Sequence, residues 1–139
     1  MKSSEKTLHI DPNHEATNHD IWYKDIKDLK LKNINNVSCG YLNINSISTK
    51  FDKLTGMLEK NIDILCMEET KLDSSYPSHQ FNISEYREPF RLDGPKVIEC
   101  SGGLLVYVNE DIPSKQLTKF KLSNDLQVLP IELNLKTSK

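Results

Sequence analysis

The stretch from Val37 to Asp73 constrains the fold more than any other part of the chain. It opens with VSCGYL, passes through the polar run NINSIS, continues as TKFDKLTGMLEKN, and closes on IDILCMEETKLD. The first segment is short and apolar enough for a strand. In the third, Phe51, Leu54, Met57 and Leu58 recur at helical spacing, and Thr49 with Asp52 resembles a capping box with Asp in place of Glu. Asn61 is a natural stop for that helix, and residues 62–67 then read as a second strand, apolar on both faces apart from Asp63. Strand, helix, strand at this spacing predicts a βαβ unit, whose two strands lie parallel in one sheet with a right-handed crossover.

That geometry has a chemical consequence. The C-terminal ends of both strands fall on one sheet edge, so Asn43 and Asn45 are expected to converge with Glu68 and Glu69. In open α/β sheets this edge is where ligands bind. Carboxylates facing amides suit a hard cation such as Mg²⁺, which takes oxygen ligands and is held by only one or two protein carboxylates, the rest of its shell being water or substrate phosphate. An asparagine there can orient a carboxylate or donate to a phosphate oxygen without adding negative charge. The same residues also suit an ordinary solvated strand end, and the pattern alone leaves both readings open.

Around this unit, Ile21, Trp22, Ile26 and Leu29 predict an amphipathic helix with Asp20 as its N-cap. Beyond it the chain reads as β-rich. Residues 80–83 and 86–90 are weak strand candidates, and 103–108 (GLLVYV) is a strong one after the Ser101-Gly102-Gly103 turn. Residues 115–122 and 126–135 are expected to pair as a hairpin, with Pro130 favouring an edge or a bulge because it lacks a donor. Residues 1–19 are polar, lack periodicity and read as a mobile leader. His9, His14 and His19 share no helix face there, so no metal site is expected from them.

Composition narrows the function classes. With 139 residues the chain fits one domain, here 20–139, and its net charge of -2 gives no overall attraction to phosphate. A nucleic-acid partner would need a local basic or metal-bearing patch. Cys39, Cys66 and Cys100 are odd in number and lack CxxC spacing, and they read as reduced core residues of an intracellular protein. No apolar run approaches the roughly 18 residues of a membrane span, and no signal-like segment opens the chain, so it is expected to be soluble and not secreted.

Four ordered segments, CGYLNINS (39–46), FDKL (51–54), NIDILCMEETKLD (61–73) and SGGLLVYV (101–108), resemble in order and spacing the start of the endonuclease domain of non-LTR retrotransposons. That domain belongs to the exonuclease-endonuclease-phosphatase superfamily, which includes apurinic endonucleases and DNase I. The resemblance spans about residues 24–139 and is strongest to jockey-type and related invertebrate elements, whose endonuclease precedes a reverse transcriptase.

The resemblance implies an α/β fold, an incomplete DNase I-like sandwich that opens with the βαβ unit and continues in mainly antiparallel strands. It implies Mg²⁺ as cofactor, DNA as partner, and a reverse transcriptase domain in the same polypeptide. Glu69 falls on the family's metal-binding glutamate, and Asn43 on its active-site asparagine. Asn45 takes a position where relatives carry Asp or Asn near the metal and phosphate, and Thr70 and Lys71 complete the signature, with Lys71 beside the phosphate. The chain departs from the pattern at Glu68, where relatives carry Gln or Ser. Consecutive strand side chains face opposite ways, so if the strand continues this far only Glu69, set opposite Asn43, addresses the ion and Glu68 stands behind it or faces solvent; if the strand has already turned, both glutamates crowd one ion.

Of the family's later motifs, the Tyr-x-Pro and the terminal Asp-His pair are absent, no Asp-x-Asn follows Gly103, and the last histidine is His79. Phosphodiester hydrolysis needs a base for the water and stabilisation of the leaving oxygen as well as a metal. The chain is therefore expected to be a truncated portion of the domain, catalytically incompetent alone, with an exposed apolar sheet face. Two other classes remain: a non-enzymatic half-domain that binds protein or nucleic acid, and a superfamily phosphoesterase with another substrate.

Overall fold

A computed structural model describes residues 19–58, 61–95, 102–119 and 126–136. The expected leader, apart from His19, lies outside the described residues, as do Cys100 and the tip of the expected hairpin.

The chain forms an α/β fold. Helix α1 (His19–Lys32) leads into β1 (Cys39–Asn43), α2 (Phe51–Leu58) and β2 (Ile64–Glu68), followed by β3 (Phe90–Leu92) and β4 (Leu104–Val108). β1 and β2 are parallel, as the βαβ reading requires, and the register sets Asn43 beside Glu68. β4 pairs antiparallel with both β2 and β3, giving the order β1-β2-β4-β3. A separate antiparallel pair, β5 (Ser114–Gln116) with β6 (Ile131–Leu133), realises the expected hairpin over a shorter span. Pro130 sits just outside β6, where its carbonyl accepts from Leu117 N.

Three expectations need correction. Asp20 lies inside α1, which begins at His19, and so is not its N-cap. Residues 78–81 form a 3-10 turn, and Tyr86 makes only an isolated bridge to Asn109, so 80–83 is no strand and the strand expected at 86–90 begins at Phe90. The Thr49 hydroxyl donates to the Ser46 carbonyl, back into the preceding loop, instead of building a capping box.

Alternation along the strands sorts the sheet into two faces. Leu42, Leu65, Met67, Leu105 and Tyr107 bury against Leu54 and Leu58 of α2 and Ile26 of α1, forming the larger core. Burying one such aliphatic side chain contributes about 1.5–3 kcal/mol. Tyr107 fills the centre of this core without leaving its hydroxyl unpaired, since it donates to Phe81 O at 2.6 Å, and Tyr86 does likewise to Ile62 O. α1 is tied down by Lys30, whose Nζ meets the buried Asp63 carboxylate while Ser38 donates to it from both its backbone N and its hydroxyl.

On the opposite face, Ile64, Val106 and Val108 pack against Ile112, Leu129, Ile131 and Leu133, so the β5/β6 pair covers β2 and β4. Among the described residues the apolar face expected to lie bare is thus partly covered, and on β1 Cys39 and Tyr41 are exposed. Cys39 is not a core residue. A hydrogen bond from Cys66 lowers its thiol to about 7. Because the thiolate is the nucleophile, alkylation of the Cys39 peptide by iodoacetamide should rise with a midpoint near pH 7. Cys66→Ala should move that midpoint up toward the ordinary thiol range, and an unmoved midpoint would show that Cys66 is not the cause.

Candidate functional site at the parallel strand end

β1 and β2 end side by side, and the backbone does not separate after them. Ile44 N donates to Glu68 O at 3.1 Å, Ser46 N to Glu69 O at 2.8 Å, and Ile47 N to Thr70 O at 3.1 Å, which carries the parallel ladder into the loops. On the other flank Thr70 N donates to Gly103 O at 3.4 Å and Lys71 N to Gly102 O at 3.0 Å. The segment Glu69-Thr70-Lys71 is therefore clamped between the β1–α2 loop and the residues that open β4.

The clamp holds strained backbone in place. Among the described residues five non-glycine residues have positive φ, and four of them are here: Asn45 (44°), Ser46 (78°), Glu69 (56°) and Lys71 (55°). Each left-handed L-residue costs about 1–2 kcal/mol. Such strain persists only where the surroundings over-determine it, and it concentrates at functional sites.

The structure brings Asn43, Asn45, Glu68, Glu69 and Lys71 to one edge, but their pairing differs from the sequence expectation. β2 runs through Glu68, so Glu68 is the neighbour of Asn43, and Asn43 Nδ2 donates to Glu68 Oε1 at 3.1 Å. Glu69 follows in a left-handed turn and leans the other way, where its Oε2 accepts from Gly102 N at 3.2 Å. The two carboxylates thus occupy opposite flanks of one strand end, Glu68 toward β1 and Glu69 toward β4. Tyr41 completes the Glu68 flank: a hydrogen bond to Glu68, then burial and the charges of Glu68 and Glu69, push its hydroxyl up to about 12. Lys71 Nζ donates to Asn45 Oδ1 at 2.6 Å.

Some contributors were not legible in the sequence. Gly102 and Gly103 read only as a turn, yet Gly102 supplies a donor to Glu69, and Gly103 at φ +95 leaves room for Thr70, whose Oγ1 would lie 2.3 Å from a Cβ there. Thr70 is 1% exposed, and its hydroxyl has no hydrogen-bond partner among the described residues. Lys50 caps the loop by donating to the carbonyls of Ile44 (2.7 Å) and Asn45 (2.9 Å). Its position just before a helix offered no signal of that role.

Two carboxylates and an amide oxygen are a hard-oxygen donor set, and they suit an ion that keeps most of its waters. Among the described residues no three His, Cys, Asp or Glu side chains gather, so nothing resembles a closed all-protein metal cage. No helix among them is long and apolar enough to cross a membrane. Compared with protein-family profiles and with curated proteins, the chain matches none.

Proposed function

We propose that this chain carries the strand-end portion of a Mg²⁺-dependent DNA endonuclease site, of the kind that nicks target DNA for a non-LTR retrotransposon and works beside a reverse transcriptase domain. One observation carries the reading: the parallel strand pair ends in Asn43 bonded to Glu68, with Glu69 beside them on strained, doubly clamped backbone. Carboxylates and an amide gathered at one strand end offer the kind of oxygen ligands a hard cation takes, which supports this reading. The ordered sequence resemblance supplies the substrate class. On this reading Glu69 would hold Mg²⁺ beside Asn43, which Glu68 orients, and the bound ion would supply charge neutralisation at a phosphate.

With a net charge of -2, affinity for DNA should depend on the divalent ion. Anisotropy of a labelled duplex should report binding in millimolar Mg²⁺ that is lost in EDTA and in Glu69→Ala. Binding indifferent to EDTA would overturn the reading. Supercoiled plasmid should remain uncut by this chain alone, because no Asp-x-Asn follows Gly103 and no histidine follows His79. Robust nicking that Glu69→Ala abolishes would refute the predicted incompetence.

A further inference from the structure

Two asparagines at the strand end are each held by a charged partner of opposite sign, and this decides what each can offer a ligand. A carboxylate only accepts hydrogen bonds, so the atom of Asn43 that faces Glu68 is the amide nitrogen, at 3.1 Å. The oxygen Oδ1 is then the atom left for a ligand. An ammonium only donates, so the atom of Asn45 that meets Lys71 is Oδ1, at 2.6 Å, and the nitrogen Nδ2 is left. The usual ambiguity of amide orientation is removed in both cases by the chemistry of the partner.

We infer that Glu68 and Lys71 are positioning residues that fix these asparagines with opposite polarity, Asn43 presenting an acceptor to a divalent cation and Asn45 presenting a donor to a phosphate oxygen. The inference rests on the metal-and-phosphate reading proposed above and divides its labour. Asn43 and Glu69 form the cation half, with Glu68 turned toward β1 to orient Asn43. Asn45 and Lys71 form the anion half, and the exposed position of Asn45 leaves its Nδ2 open to a ligand. The unusual Glu at 68 gains a role: a glutamine there can turn either amide atom toward Asn43, whereas a glutamate permits only one orientation. Asn45 also departs from a metal-ligand role, because the Lys71 ammonium on its oxygen repels a second cation there. The left-handed backbone of Asn45 and Lys71 brings their side chains together across the loop.

Side-chain amide signals in ¹⁵N NMR of the full chain read this directly, with MgCl₂ and inorganic phosphate as probes. Mg²⁺ alone should shift the Asn43 amide, and phosphate added with Mg²⁺ should shift that of Asn45. Asn45→Asp keeps an acceptor for Lys71 but replaces the donor with negative charge. It should leave the Mg²⁺ midpoint within about twofold and weaken the phosphate midpoint by about tenfold or more, the scale of a lost charge-assisted hydrogen bond. Glu68→Gln should move the Asn43 signal and weaken the Mg²⁺ midpoint.

Swapped responses, or an Asn45→Asp chain that binds Mg²⁺ more tightly and phosphate unchanged, would overturn the assignment while leaving a metal site standing. A folded wild-type chain with no saturable response to either probe would instead overturn the underlying reading. Should a variant fail to fold, the wild-type titrations still decide which amide answers which ion.

Discussion

Gly103→Ala should destabilise the chain by about 2–5 kcal/mol, which combines about 1–3 for forcing an atom into a filled space with about 1–2 for a left-handed L-residue. The added Cβ would lie 2.3 Å from Thr70 Oγ1 at a residue whose φ is +95. Neither neighbour can yield cheaply. Thr70 is buried between β2 and the loop after β1, and its backbone is bonded to Gly103 O on one side and Ile47 N on the other. Thr70→Ala removes the clashing oxygen, so adding it to Gly103→Ala should recover the steric share of the loss and leave the backbone share. Denaturant melts of the two single variants and the double variant check this. A Gly103→Ala loss below about 1 kcal/mol would show that the clamp around Glu69 is looser than described.

Asp63→Ala is expected to be comparably damaging, at about 2–4 kcal/mol, somewhat below the usual cost of deleting one member of a fully buried ion pair because Lys30 is partly exposed. Its carboxylate is the common acceptor for Lys30 Nζ, Ser38 N and Ser38 Oγ. Removing it strands Ser38 N, leaves Lys30 Nζ only the Asn36 carbonyl and Ser38 Oγ only the Asn61 carbonyl, and frees α1 from the start of β2. Lys30→Met should cost clearly less, because Asp63 keeps both Ser38 donors and the methionine preserves the apolar stem. Against a typical total stability of about 5–15 kcal/mol, Asp63→Ala should remove a large share of the margin, read as a lowered denaturant midpoint. Equal losses in the two variants would contradict this division of roles.

The βαβ unit was legible because two apolar runs and one amphipathic helix leave few alternatives, and the convergence of residues 43, 45, 68 and 69 followed from parallel pairing alone. The partner of Asn43 was not legible. Whether β2 ends at Met67 or Glu68 decides which glutamate faces β1, and a boundary shift of one residue reverses the side on which a side chain lies. The structure carries the strand through Glu68 and then turns Glu69 left-handed. No feature of Glu or Lys advertises φ > 0, which is set by the flanking hydrogen bonds to Ser46, Gly102 and Gly103.

The weak strand expected at 80–83 failed for a similar reason. Phe81 is apolar because it anchors the core against Phe51 (rings 5.4 Å apart) and offers its carbonyl to Tyr107, both of which a 3-10 turn allows. Cys39 was read as core from its apolar surroundings, but alternation places it with Tyr41 on the open side of the edge strand.

Mn²⁺ used as a paramagnetic stand-in for Mg²⁺ tests most directly whether a divalent cation binds at the end of β1 and β2. In ¹H–¹⁵N spectra, substoichiometric Mn²⁺ should first broaden the backbone amides of residues 43–46, 68–71 and 102–103. Excess Mg²⁺ should reverse the broadening, and Glu69→Ala should abolish it while the rest of the spectrum stays folded. Broadening centred elsewhere on the chain, or unchanged in Glu69→Ala, would contradict the site.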